Sequence, residues 1–214
     1  FAALRAIIQG SVGSAEGVAF TLYYATNFIF SGLAVALAYR AGLFNIGGEG
    51  QAYVAGLGAA LVCLAAPGLP AIALAPLAIL GAALFGAAWA AIPGWLQAKR
   101  GSHVVVTTIM FNFISASLMN YVIVSHLIPD GEQSPASRVF AESAWLPKLN
   151  SILPVLGETP LNISFVLALV ALVIYGVAVW RTSWGYQLRA AGLNPHAAHY
   201  AGISISKTII VTML

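Results

Sequence analysis

Charge is what this sequence lacks. Of its 214 residues, 7% are Asp, Glu, Lys or Arg and 60% are hydrophobic. A soluble domain is about a quarter charged. A chain so poor in charge cannot cover a water-facing surface, so it reads as an integral membrane protein. There are six acids in all, and none lies within an expected span. A proton- or sodium-driven carrier needs ionisable groups within its spans, which counts against that class. The one cysteine, Cys63, sits in an apolar run, forms no disulfide within the chain and says little about redox compartment. The phosphate-binding pattern G-x-x-x-x-G-K-[ST] and the nucleophile elbow G-x-S-x-G are both missing. An intramembrane enzyme needs nucleophile and base at matching depth, but His103 and His126 fall at opposite ends of one apolar run. His196 and His199 form an H-x-x-H pair without the third and fourth ligands that zinc requires. No catalytic residue, no metal and no cofactor bound by this chain is therefore expected. The nine basic residues, net charge +3, are scattered without a patch, so no nucleic-acid partner is expected either.

What is present is a series of continuous apolar runs. They do not alternate, which argues for helices and against an outer-membrane barrel. Spans are expected over residues 17–39, 52–66, 73–96, 103–125 and 161–180, with a sixth starting near 203. The fold class is thus all-α, a polytopic helical membrane protein, read as one transmembrane domain over 1–214 with the lipid bilayer as its surroundings. Phe1 is not a start residue and Leu214 stops inside an apolar segment, so a longer chain is expected. Small residues form ridges suited to close helix contact: Ala52, Gly56 and Ala60, then Ala78, Ala82, Gly86, Ala90 and Gly94. Arg40, Lys99, Arg100, Arg181, Arg189 and Lys207 fall on one side of the alternating spans, with Glu49 as that side's only acid. Basic connections stay in the cytoplasm. The 126–160 loop is then external, with Trp145 as an interfacial anchor, and the 181–207 segment is cytoplasmic.

That 181–207 segment is the longest polar interruption on its side. Gly192, Asn194 and Pro195 predict a corner, with Asn194 accepting the first amide hydrogen of a helix opened by Pro195. The small residues Ala190, Ala191, Ala197, Ala198 and Gly202 favour docking on a soluble partner over resting on lipid. A plain connecting loop is the other reading.

Polar groups inside the spans are neutral. Tyr23, Asn27 and Ser31 share a helical face, as do Thr108, Asn112 and Ser115, with Thr107 beside them. A buried Asn needs partners, either neighbouring helices or a polar solute. Amides and hydroxyls suit an uncharged polar solute such as a sugar or nucleoside. Between the first two spans lies GLFNIGGEGQ, residues 42–51, where Glu49 facing lipid at mid-depth would cost about 3 kcal/mol. It lies at the interface or is paired inside.

GLFNIGGEGQ at 42–51, TTIMFN at 107–112 and LRAAGLNPHAAHYAGI at 188–203 together resemble the permease subunits of bacterial ABC importers. The nearest group is the nucleoside and simple-sugar permeases of the ribose and branched-chain amino-acid permease superfamily. The resemblance implies a multi-pass protein of the bacterial cell (inner) membrane, with further helices before and after these residues. It implies a second permease chain, two cytoplasmic ATPase subunits that bind the ATP, and an extracytoplasmic solute-binding protein. ATPase coupling is expected at Leu188, Arg189, Gly192, Asn194, Pro195, Tyr200 and Gly202. A substrate path is expected at Asn27, Asn45, Glu49, Thr107, Thr108 and Asn112. Branched-chain amino acids are the rival cargo and an ion-coupled carrier the rival class. His196 and His199 stand where many relatives carry an acid and a base, and His103 and Val104 where many carry Asn-Glu.

Overall fold

The computed structural model describes residues 1–214. It is helical, with one isolated bridge, Lys148 to Asn162, and no strand. The helices are α1 (Ala2–Val12), α2 (Ala15–Arg40), α3 (Gly48–Ala65), α4 (Ala71–Arg100), α5 (Val104–Val122), α6 (Ser164–Arg181), α7 (Ser183–Leu193), α8 (Pro195–Tyr200) and α9 (Ile205–Met213). A π-helical turn, Ile123–Leu127, prolongs α5. Four helices are long and apolar enough to cross a membrane: Ala15–Arg40, Ala71–Arg100, Val104–Leu127 and Ser164–Arg181. The all-α polytopic expectation holds. The expected span at 52–66 is α3, which falls outside those four because Glu49 and Gln51 in its first turn dilute its 18 residues. It starts at Gly48, earlier than expected, so the last four of the ten residues of the glycine-rich segment are helix. Ahead of the first expected span, residues 2–12 form α1.

The chain divides into two compact units, residues 1–34 with 146–178 and residues 35–145 with 179–214. In the first, α1 folds back on α2: the Thr21 hydroxyl donates to the Ser11 carbonyl at 3.0 Å, and a Cβ at Gly17 would strike the Gly10 carbonyl. Ala19 and Ala168 are fully buried there. Before α6 the chain is tied by Leu149 N–H donating to the Leu161 carbonyl at 2.9 Å, and Asn162 Oδ1 accepts from Ser164 N–H at 3.0 Å.

The second unit is built on a seam between α3 and α4. A Cβ on Gly58 would lie 2.5 Å from the Gly81 carbonyl oxygen, and one on Gly81 2.7 Å from a Val62 methyl. The backbones meet at these glycines. Gly86 faces Ala55 and Gly94 faces Met213 of α9, so the ridge through Gly86, Ala90 and Gly94 is a packing face as expected. The ridge expected on α3 is corrected. Gly56 has nothing within 4 Å and Ala52 is exposed, while Val54, Leu57 and Gly58 are buried. Two residues along a helix turn the face by about 200°, and a run rich in alanine and glycine offers more than one such stripe. Arg40, Arg181 and the pair Lys99 and Arg100 occupy the last turns of α2, α6 and α4, where the helix dipole favours a cation.

The seam makes a sharp contrast between two glycines of one helix. Gly58→Ala drives a methyl into backbone that no rotamer can clear, at a cost of about 2 kcal/mol. Gly56→Ala meets open space and gains up to about 1 kcal/mol of helix propensity. Thermal unfolding of the full-length protein in detergent is expected to fall for the first variant, by about 2–4 °C per kcal/mol, and to hold or rise for the second. Equal behaviour of the two would remove the seam.

Candidate functional site

The polar elbow folds as its residues dictate. Thr182 caps α7, its hydroxyl accepting from Gly185 N–H at 3.0 Å. Asn194 closes α7 and opens α8: its backbone is extended (φ −154°, ψ 99°), its Oδ1 accepts from Ala197 N–H at 3.0 Å, and Pro195 takes the first helical position. Helix α8 then stops in a Schellman motif. Gly202 N–H bonds the His199 carbonyl at 2.9 Å and Ile203 N–H the Ala198 carbonyl at 3.0 Å. Gly202 has φ +82°, a conformation that side-chain-bearing residues avoid. Ala198 and Ile203 are buried together with Ala191, which fastens the short helix to α7. The outward face is bare: Leu193 is 88% and Tyr200 92% exposed, and Asn194, Pro195, His196 and His199 are exposed beside them.

Leu188, one of the expected ATPase-coupling residues, is turned inward. It is fully buried among Ala38, Ala41, Leu43, Val104 and Met213. On an amphipathic helix one face must be inward, and Leu188 is on it. It holds α7 to the body and offers no surface. Arg189 lies with its guanidinium 4.5 Å from the Trp180 ring centroid, and Arg40 lies 5.0 Å from the same centroid.

Gly192 is where the elbow meets the rest of its unit. A Cβ there would run into the Arg40 carbonyl and come within 2.9 Å of Gly42 N. Gly42 has φ +74° and, like Gly202, closes a Schellman motif, with Gly42 N–H to Tyr39 O and Leu43 N–H to Ala38 O, both 3.0 Å. The two glycines are in backbone-to-backbone contact.

From Gly42 the chain runs extended, burying Leu43, Asn45 and Gly47 and exposing Phe44 and Ile46. Asn45 Oδ1 accepts from Gly47 N–H at 2.8 Å, and its amide donates to Gln51 Oε1 at 3.2 Å. Gln51 in turn donates to the Met213 carbonyl at 3.2 Å. Asn112 of α5 grips both sides of the α3 start. Its Oδ1 accepts from Gly50 N–H at 2.9 Å, and its Nδ2 donates to the Ile46 carbonyl at 3.0 Å. Helix α3 thus borrows a cap from another helix, one of its four otherwise orphaned N–H groups being satisfied by Asn112. The approach needs glycine: a Cβ at Gly50 would sit 2.9 Å from both Asn112 Oδ1 and Ser115 Oγ, and one at Gly47 would sit 3.1 Å from Thr108 Cβ.

Of the expected path residues, Asn45, Thr108 and Asn112 therefore come together, with their polar atoms taken up by the chain. Thr108 Oγ1 donates to the Val104 carbonyl at 2.8 Å. The void among them is about 10 Å³, no more than a single water needs. Glu49 is exposed in the first turn of α3, where its charge suits the helix dipole. Thr107 bonds the His103 carbonyl at 2.9 Å. Asn27 belongs to the first unit and is exposed on α2. Gln51, Gly47 and Gly50 were missed as site residues. The signal available for them was the spacing of glycines and amides within 45–51.

Residues 17–214 match the family described as branched-chain amino acid transport system / permease component. The chain belongs to that family. With four apolar spans it is a multi-pass protein of the bacterial cell membrane. This permease-family chain is 39% identical over 209 residues to a guanosine ABC transporter permease of Bacillus subtilis, which covers 98% of the chain and 59% of that relative. It is 33% identical over 208 residues to a nucleoside ABC transporter permease of Lactococcus lactis (95% of the chain, 57% of the relative). It is 35% identical over 192 residues to a glucose ABC transporter permease of Haloferax volcanii (88% and 50%). The chain thus spans about half to three fifths of the length of these curated relatives. No solved structure matches it.

The Asn112 joint is testable by chemistry alone. Asn112→Ala orphans the N–H of buried Gly50, at about 1–3 kcal/mol, and leaves the exposed Ile46 carbonyl to solvent. Asn112→Asp still accepts from Gly50 N–H but cannot donate to Ile46. The expected order of thermal stability is wild type, then Asp, then Ala, with faster amide exchange at Gly50 in the Ala variant alone. An Ala variant as stable as wild type would dissolve the joint.

Proposed function

We propose that this chain is part of the membrane-spanning permease subunit of an ATP-driven importer, and that its cargo is a nucleoside, with a simple sugar as the nearest neighbour. The observation that carries the mechanism is the capped, outward-facing α8, joined through Gly192 and Gly42 to the connector that Asn112 holds. The guanosine and nucleoside relatives support the cargo class, and the glucose relative extends it. The family's own description keeps branched-chain amino acids as the alternative cargo.

In this reading the assembly has two permease chains, two cytoplasmic ATPase subunits and an extracytoplasmic binding protein. Leu193, Pro195, Tyr200 and the two histidines dock into the ATPase subunit. ATP stays on that subunit; this chain supplies the lever. Asn194 and Gly202 fix the shape of α8, so a push on it is not lost in bending. Gly192 passes the displacement to Arg40–Gly42 without an intervening side chain, and the 43–47 stretch carries it to α3 and α5. The cavity between the permease chains then switches sides. Within the second unit, Glu49 is exposed and Thr107 is half-buried; these two are the path residues there that hold no other helix, and they are the ones assigned to cargo.

Docking and transmission separate by mutation in the full assembled transporter. Tyr200→Ala truncates an exposed aromatic anchor worth about 2 kcal/mol, so ATPase association is expected to weaken roughly thirtyfold. Gly192→Val leaves α8's docking face intact and is expected to keep association while uncoupling ATP hydrolysis from nucleoside uptake. His196→Cys is expected to react with a membrane-impermeant thiol reagent in inside-out vesicles and not in intact cells. Labelling from outside intact cells, or normal coupling in both variants, would overturn the scheme. Ligand binding by the partner binding protein decides between nucleoside, sugar and amino acid.

A further inference from the structure

The face of the second unit beside the elbow carries a feature that transport of cargo does not use. Arg40, at the end of α2, and Arg189, on α7, both place their guanidinium groups against one indole, Trp180, at 5.0 and 4.5 Å from its centroid. Neither forms an ion pair or a hydrogen bond within the chain, and no carboxylate lines the cavity they border. That cavity has a volume of about 800 Å³ and an aromatic wall of Tyr39, Phe44, Trp180 and Tyr186, all exposed. Two cations on one ring repel each other. The indole face offsets part of this, and a counter-anion completes it. Planar guanidinium forks match phosphate oxygens two at a time. Aromatic rings at the end of a membrane helix belong at headgroup depth, with their apolar bodies toward the acyl chains.

We infer that Arg40 and Arg189 bind the phosphodiester of an anionic phospholipid, with Trp180 as the platform and Tyr39 and Tyr186 flanking the glycerol region. The lipid occupies the groove between the end of α2 and α7, next to the Gly42–Gly192 contact. The inference rests on the cytoplasmic orientation of these helix ends and not on the cargo. Labelling of the elbow tests the orientation separately, so the two can fail independently. Free phosphate shares the headgroup's chemistry but lacks its acyl chains, which is why both enter the test.

The experiment follows Trp180 fluorescence, as the difference between the full-length permease and its Trp180→Phe variant, with brominated lipids as quenchers. Each arginine near an anionic surface is worth about fivefold in affinity, so brominated phosphatidylglycerol is expected to be preferred over brominated phosphatidylcholine by more than tenfold. Arg40→Gln and Arg189→Gln should each cut that preference by about fivefold. Arg40→Lys, which keeps the charge and the chain length for folding, should retain most of it. Arg100→Gln removes a cation at the end of α4, on Trp95 rather than Trp180, and should leave the preference alone. Equal quenching by the two lipids overturns the inference, as does an Arg40→Gln variant with unchanged preference. Complete relief of quenching by millimolar inorganic phosphate would make the ligand soluble phosphate and overturn the lipid. Absence of quenching by either lipid would mean that another segment or a partner's acidic surface fills the groove, which also overturns it.

Discussion

Two glycines in contact set the rest of the second unit. Gly192 and Gly42 bring backbone against backbone, with no room for a Cβ on the first and a positive φ on the second. Both ends of this contact are fixed by local hydrogen bonding. Gly42 closes α2 by a Schellman motif, and Gly192 lies one turn past Leu188, which the core holds fully buried. A contact of this kind transmits displacement well because side chains can change rotamer and absorb a push, while a backbone pinned by its own hydrogen bonds cannot. In the proposed mechanism, the lever formed by α8 is therefore short and stiff. It ends on the connector between α2 and α3.

What the connector does next depends on polar groups that satisfy an irregular stretch of backbone. In hydrocarbon an unsatisfied backbone group costs several kcal/mol, so irregular backbone survives only when protein satisfies it. The 42–51 stretch meets this condition with three amides. Asn45 bonds its own turn, Gln51 reaches Met213 of α9, and Asn112 spans Ile46 and Gly50. The glycines at 47 and 50 are what let α5 come close enough. Apolar packing at the same place would be as stable but indifferent to register. The amides admit one register, and so fix α3, α5 and α9 relative to the elbow.

The elbow was legible because its determinants are local. Asn194 before Pro195 states a cap and a first helical position within two residues, and Gly202 states a left-handed turn. The start of α3 was not legible, because the group that caps it comes from Asn112, far along the chain. The α3 seam was misjudged for a different reason. Ala52, Gly56 and Ala60 form as good a small-residue stripe as the one through Gly58, and only the shape of α4 chooses between them. The burial of Leu188 was hidden by its neighbours: it stands in a polar segment, yet a helix of mixed composition still turns one face inward. The membrane class itself needed no such detail, since continuous apolar runs with few charges have no other stable home.

Under the proposed function, the same amides also constrain where cargo can bind. An Asn whose oxygen and nitrogen are both engaged has nothing left for a solute. For Asn112 to select cargo it must first release Ile46, which is exposed, or Gly50, which is buried and whose orphaned N–H costs about 1–3 kcal/mol. That cost is not wasted if the release also loosens the connector. Cargo at Asn112 and a push at α8 then act on one equilibrium, and each must change the other's affinity by the same factor. Cargo held only by Glu49 and Thr107 breaks no such bond and leaves the connector as it was. The two arrangements differ in a measurable sign: only the first lets cargo alter ATPase docking through this joint.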